Sequence, residues 1–324
     1  MSFPFNIYFA ALVSSLLAAF LSLPLWARWC VRTGHVDDPG HRKIHDRPIP
    51  LAGGLAVFTG LALPIVGGAL LIVGGAGNTA LTHGFGRRFV ELAAILCGAL
   101  GMTVLGVVDD KHELKPAVKF TGQVVIASLV AAAGVRVTLF VHNPIFSFAI
   151  TVLWLLTLIN ALNFMDNMNG LCAGLGAIAG WCFAVLAAAS GQYLVALIAL
   201  IVVGSLVGYL PHNFPAARAF LGDAGSHLVG YLLAILAILP HFYTPGRPRP
   251  LAVLTPLLVL ALPLIDLGCV VIIRTLNRKP FYIGDTNHLS HRLVQRGLSK
   301  TRAVLVIWLL AAVCGSLAVW LNLR

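Results

Sequence analysis

The sequence predicts an all-α polytopic membrane protein of about ten transmembrane helices, with its functional site formed by cytoplasmic loops. Three observations predict this. The 324 residues are 59% hydrophobic and only 10% charged, with a mean hydropathy of +0.93; a soluble domain carries about 25% charged residues. Ten apolar runs recur along the chain, most of them near the ~20 residues that a membrane-crossing helix needs. The polar residues that remain gather in alternate loops. No linker or shift of composition separates two halves, so residues 1–324 read as a single integral membrane domain.

The first run, 5–27, has no leading basic cluster and no small-residue cleavage site, and reads as a retained span rather than a signal peptide. The others are 51–75, 89–108, 117–134, 145–163, 171–189, 193–210, 224–240, 251–273 and 303–322. Gly and Ala are frequent within them, as expected where helices pack closely in lipid. Between the fourth and fifth runs, Arg136-Val137-Thr138-Leu139-Phe140 alternates like a small external strand pair. The six cysteines form no CxxC and mostly fall inside apolar runs, which argues against disulfides and zinc.

A net charge of +11 would suit nucleic acid in a soluble protein. In a membrane protein it reflects Lys and Arg held in cytoplasmic loops, and no nucleic-acid partner is expected. Sixteen of the 22 Lys and Arg residues fall in the loops after helices 1, 3, 5, 7 and 9. These odd loops are therefore predicted to be cytoplasmic, with both termini outside. Of the eleven acids, only Glu91 lies near the opposite face.

The central stretch is NALNFMDNMNGL at 160–171, between the fifth and sixth runs. Four amides and a carboxylate at a membrane boundary are costly unless something polar binds there. Helix termination by Asn and Gly170 explains one amide, not four. GVVDD at 106–110 closes the third run. Carboxylates there oppose the helix dipole at roughly 0.3–1 kcal/mol each, and adjacent ones repel. Asp109 and Asp110 read either as a solvated helix end paired with Lys111 or Lys115, or as a pair held for a cation or for proton transfer, where a raised pKa suits a base. FLGDAGS at 220–226 opens the eighth run; Asp223 is a favoured helix cap, but the same end offers N–H groups to an anion.

NHLSHRL at 287–293 lies in the most basic loop. His288 and His291 at i, i+3 have no third soft ligand nearby, so His288, His291 and Arg292 read better as phosphate donors than as a zinc site. Lys43 and His45 add cations on the same face, just before PLAGG at 50–54. Acids for a hard cation and bases for phosphate oxygens suggest phosphoryl chemistry at a membrane surface, with Mg²⁺ held by carboxylates and substrate phosphates. No Walker A sequence is present.

Taken in order from Lys43 to Leu298, these motifs resemble the polyprenyl-phosphate N-acetylhexosamine-1-phosphate transferases (glycosyltransferase family 4). Asp109-Asp110 with Lys119 matches the family's Asp-Asp motif and downstream lysine. Asn160, Asn163 and Asp166 match its NxxNxxD, 220–226 its FxGDxGS, and 288–293 its HxHHRL-like loop. The resemblance implies transfer of a hexosamine-1-phosphate, GlcNAc-1-phosphate first among them, from a UDP-N-acetylhexosamine to polyprenyl (undecaprenyl) phosphate. UMP would be released, beginning a cell-envelope glycan. It implies Mg²⁺, with Mn²⁺ as an alternative, and a multi-pass place among the lipids of the cell (inner) membrane with a cytoplasmic active site; it also allows a homodimer.

By the same resemblance Asp223 binds the metal with the Asn163 side-chain oxygen. Asp109, with Asp110, deprotonates or orients the lipid phosphate, and Asp166 holds the reacting groups. Asn213 matches the family asparagine near the uracil. Lys119, His288, His291 and Arg292 contact phosphates or sugar, and Lys43, His45 and Asn160 are further candidates for substrate binding. The chain departs from the family pattern at Asn167, Asn169, Ala216 and Ser290, where many members have Gly, Asp, Pro and His. These departures bear on donor specificity more than on reaction type. PLAGG and HxxHRL fit the UDP-GlcNAc branch better than the phospho-MurNAc-pentapeptide transferases, the alternative within the family. The alternative outside it is a transporter of lipid-linked sugars, whose acids would sit near the midplane on broken helices.

Overall fold

A computed structural model describes residues 5–38, 47–74, 86, 88–137, 143–240, 254–278 and 287–323. Each of the ten apolar runs carries a helix. In order these are α1 (Phe5–Thr33), α2 (Gly53–Val73), α3 (Phe89–His112), α4 (Pro116–Ala132), α5 (Pro144–Met165), α6 (Leu171–Ala189), α7 (Tyr193–Tyr209) and α8 (Gly222–Ile238). The ninth run is broken into α9 (Thr255–Val259) and α10 (Ala261–Leu276). Pro263 has no N–H to offer the Val259 carbonyl, so the ladder cannot run through. A short α11 (Leu289–Gln295) precedes α12 (Lys300–Leu323).

Seven helices among the described residues, α1, α2, α3, α5, α6, α7 and α12, are long and apolar enough to cross a membrane. α4 and α8 are 17 residues each, just below the usual length. Large apolar side chains such as Phe5, Phe9, Leu70, Leu129, Ile145 and Leu309 lie on the outside, as lipid requires. The chain is therefore an all-α, multi-pass membrane protein.

Two expectations change. The third helix does not stop at 108 but runs to His112, which places Asp109 and Asp110 inside its last turn. The expected strand pair at 136–140 falls largely outside the described residues. A strand pair does form elsewhere: β1 (Val36–Asp37) and β2 (Ile49–Pro50) are antiparallel, with Val36 opposite Pro50.

α8 is the hub. It packs against α2, α3, α5 and α6, and every residue from Ala224 to Ala237 is buried. A helix apolar all round belongs inside a bundle. Its approach to α3 depends on Gly106, where a Cβ would overlap the Ala224 backbone. The start of α2 docks on the same region: Gly53 and Gly54 N–H donate to the carbonyls of Phe220 and Leu221 at 2.9 and 3.0 Å. Two free N–H groups of one helix end are thereby satisfied by the loop that leads into α8.

Candidate active site

The ends of α3, α4, α5 and α8 converge on one cavity of about 1740 Å³. Small-ligand pockets are typically about 300–1,000 Å³, so this one has room for two substrates. Asp109, Asp110, Lys119, Asn160, Asn163, Asp166, Asn213 and Asp223 all line it. The four motifs are separate in sequence; helix packing brings three of them to a single point.

Lys119 is the centre of the charge arrangement. Its Nζ lies 2.7 Å from Asp109 Oδ2 and 2.6 Å from Asp223 Oδ2. Asp109 is buried, and its other oxygen accepts the Leu114 N–H at 2.9 Å. That bond turns the chain between α3 and α4, so Asp109 shapes the loop as well as facing Lys119. Asp223 Oδ1 accepts the Asn163 amide at 2.6 Å, and the same amide reaches Ser226 Oγ at 2.9 Å.

Asp110 takes a part beyond the one expected. Its two oxygens accept the backbone N–H groups of Asp223 (2.7 Å) and Ala224 (3.2 Å). It is a cap supplied in trans to the first turn of α8, where a carboxylate meets both orphan N–H groups and the positive end of the dipole. Gly222 permits this contact: its φ is +69°, and a Cβ there would sit 2.6 Å from Asp110 Oδ2. This capping contact is a structural part additional to that of a base alongside Asp109.

Asp166 follows the last residue of α5. Its carboxylate makes no hydrogen bond or ion pair with the described residues, and burial pushes it well above the ordinary carboxylate range. Negative charge on Asp223 and Asp110 pushes it further. Six carboxylates (Asp37, Asp109, Asp110, Glu113, Asp166 and Asp223) line the cavity against three lysines (Lys115, Lys119 and Lys300), which leaves its wall short of positive charge. That shortage suits a cation.

The amides divide by role. Asn160 Nδ2 donates to Gln123 Oε1 at 2.9 Å, and the Gln123 amide lies 3.4 Å from His227 Nε2. Asn213, expected beside a nucleobase, is buried and spends its amide internally: Oδ1 takes the Gly170 N–H, and Nδ2 donates to Ala219 O at 3.0 Å. It ties the 166–170 turn to the 212–219 loop. Asn169 reinforces that tie with a 3.2 Å bond to Pro215 O.

The fourth motif stands apart. His288 is buried against Asp266 of α10, with Nδ1 to Oδ2 at 2.7 Å, and Asp266 Oδ1 accepts the Leu289 N–H. His288, His291 and Arg292 do not line the cavity. This loop reaches the site through Ser290, whose hydroxyl donates to Asn167 Oδ1 at 2.6 Å. Two departures from the family pattern, Asn167 and Ser290, are thus bonded to each other. Lys43 and His45 lie outside the described residues.

Sequence reasoning missed Gln123, His227, and Lys300 and Thr301 at the start of α12, which complete the lining or its support. A signal for the first two was present. Gln123 is four residues after Lys119, and His227 four after Asp223, so each shares a helix face with a residue already singled out.

The donor set fits a divalent cation. Asp109, Asp223 and His227 each offer a ligand atom, all within 4.8 Å of one another, and carboxylate oxygens are the usual protein ligands of Mg²⁺. The Asn163 amide can present oxygen instead of nitrogen by a half-turn, since the two are interchangeable in such an assignment.

Residues 92–241 match Glycosyl transferase family 4. The chain is 32% identical to the probable undecaprenyl-phosphate N-acetylglucosaminyl 1-phosphate transferase of Bacillus subtilis, over 97% of this chain and 86% of that protein. It is 33% identical to the decaprenyl-phosphate N-acetylglucosaminephosphotransferase of Mycolicibacterium smegmatis, over 88% and 75%. It is 25% identical to the undecaprenyl-phosphate alpha-N-acetylglucosaminyl 1-phosphate transferase of Escherichia coli K12, over 95% and 82%. The 92–241 match runs from α3 through α8, the helices that carry the carboxylate cluster, and with relatives aligned over nearly the whole length it establishes that the chain is a member of glycosyl transferase family 4.

Proposed function

We propose that this protein transfers N-acetylglucosamine-1-phosphate from UDP-N-acetylglucosamine to a polyprenyl phosphate at the cytoplasmic face of a cell membrane. An oxygen of the lipid phosphate attacks the β-phosphorus of the donor. The bond from that phosphorus to the bridging oxygen breaks, and UMP leaves. The products are polyprenyl diphosphate-N-acetylglucosamine and UMP. The observation that carries the reading is the Asp109–Lys119–Asp223 cluster at the wall of a cavity with apolar lining as well. Phe120 of α4 and Leu153 and Leu156 of α5 belong to that lining, a surface suited to an isoprenoid chain. The names of the relatives supply the sugar.

A bound Mg²⁺ would polarise the phosphorus and shield charge between two anionic substrates. Asp223 and the Asn163 amide are the residues placed to hold it, with Asp109 beside them. Lys119 holds the same carboxylate oxygens; with those oxygens engaged by an ion, its ammonium would be free for a substrate phosphate. Asp109, relieved of its ion pair, is the group best placed to accept or position a proton on the lipid phosphate. Asp110 keeps the first turn of α8 in place and holds Asp223 toward the cavity.

The test is turnover of the purified chain in detergent with polyprenyl phosphate, Mg²⁺ and a panel of UDP-sugars. UDP-N-acetylglucosamine is expected to give UMP and a lipid-linked product. Absence of UMP release with every UDP-hexosamine, from a folded preparation, overturns the proposal. Flux of a polyprenyl-linked sugar across proteoliposomes without chemistry would favour the transporter reading instead.

A further inference from the structure

His227 is fully buried on α8, one helical turn after Asp223. Its Nδ1 has no hydrogen-bond partner among the described residues. Leaving a buried polar atom unsatisfied costs roughly 1–3 kcal/mol, and the neighbouring positions of the same helix, Leu228 and Val229, are apolar. An imidazole here needs a reason. The geometry offers one: a ring nitrogen of His227 stands within 4.8 Å of carboxylate oxygens of both Asp109 and Asp223.

The surroundings support the ring as a ligand would need. Metal-bound imidazoles engage their other ring nitrogen with an outer partner, which fixes tautomer and ring plane. Gln123, itself held by Asn160, stands 3.4 Å from His227 Nε2, so an ion at Nδ1 would leave Nε2 with such a partner. A half-turn of the Gln123 amide exchanges its donor and acceptor ends, so the same residue can meet either tautomer.

We propose that His227 supplies a nitrogen ligand to the divalent-cation site, and that this mixed oxygen and nitrogen set makes Mn²⁺ a better occupant than Mg²⁺. This rests on the reading of the cluster as a cation site. The chemistry behind it is ligand hardness. Mg²⁺ takes oxygen and keeps several waters, whereas imidazole suits first-row transition ions; Mn²⁺ accepts both kinds of donor.

The test uses the full chain in detergent, loaded with one equivalent of Mn²⁺ and no substrate. Pulsed electron paramagnetic resonance is expected to show ¹⁴N coupling to the ion. The coupling should change to the ¹⁵N pattern when only histidine is labelled, and disappear in His227→Leu. Calorimetric titration is expected to show Mn²⁺ affinity falling about 10–100-fold in His227→Leu, the range seen even for loss of an outer partner, with Mg²⁺ affinity nearly unchanged. Bound Mn²⁺ without histidine coupling in the unaltered chain overturns the proposal, as does an unchanged ratio of Mn²⁺ to Mg²⁺ affinity in the variant. The spectroscopic measurement needs no variant to overturn the proposal, so the proposal stays falsifiable even where His227→Leu fails to fold. Binding of Mn²⁺ through oxygen alone removes the role of His227 and leaves the proposed reaction standing; failure to bind any divalent ion removes the metal from both.

Discussion

At Lys119 one ammonium answers two carboxylates. Replacing it leaves Asp109 and Asp223 facing each other, and breaking a buried pair costs roughly 3–5 kcal/mol, less here because the Lys119 side chain is 19% exposed. Lys119→Met is expected to lower the unfolding temperature in EDTA and to recover much of the loss in Mg²⁺. Equal losses with and without the ion would count against competition for the same oxygens. Asp166 works in the opposite direction. Its carboxyl titrates above its unfolded value, so protonation favours the fold; that stability is complete below the ordinary carboxylate range and is lost as pH rises through the raised value. Asp166→Asn imitates the neutral acid. It is expected to raise metal-free stability near pH 8 relative to pH 5 while abolishing most turnover, and unfolding curves at the two pH values check it. The acids themselves were legible in the sequence because carboxylates at a lipid boundary are conspicuous. Their division of labour was not. That Asp110 caps α8 depends on Gly222 and on a contact between residues 113 apart in sequence, and no local pattern announces such a partner.

Among the helices, close approach decides where the acids stand. Gly106 lets α3 lie against the start of α8, and Gly106→Ala is expected to cost about 1–3 kcal/mol by overpacking and to separate Asp109 from Asp223. Turnover should fall tenfold or more. Gly68→Ala in α2, where nothing lies within 4 Å, is the control and should stay within about 0.5 kcal/mol. Thermal unfolding and UMP release measured on both variants decide whether spacing or helix propensity is at work. Hydropathy located every long helix among the described residues but not the seven-residue α11, because lipid leaves apolar length as a plain signal. It missed the overrun of α3 to His112, since two acids look like an end. It also merged α9 with α10, although Pro263 marks the break for a reader who asks which carbonyl loses its donor.

For the whole molecule, the charge bias predicts sidedness. A single cysteine placed at Glu113, in a chain cleared of its six native cysteines, should react with a membrane-impermeant thiol reagent only from the cytoplasmic side. One placed at Gly191, between α6 and α7, should react only from the other. Labelling of both from one side would refute the orientation and, with it, the access of a nucleotide sugar from the cytoplasm. The cavity's position was readable in outline, since the polar loops cluster on one face. The separation of the His288 loop from the cavity was not: Asp266, one helix away, holds His288 by a bond that only the tertiary arrangement creates.

The central place of α8 also sets a timetable for synthesis. This helix is buried along almost its whole length, yet its opening turn carries Asp223, Ser226 and His227. Inserted alone, it would present a carboxylate and an imidazole near hydrocarbon with nothing to answer them. The ribosome delivers α2 to α6 first, so Asp110, Lys119, Gln123 and Asn163 are already in place when α8 emerges. Nascent α8 therefore enters a prepared slot, and the acidic centre can close at that step, before α12 follows it into the bilayer.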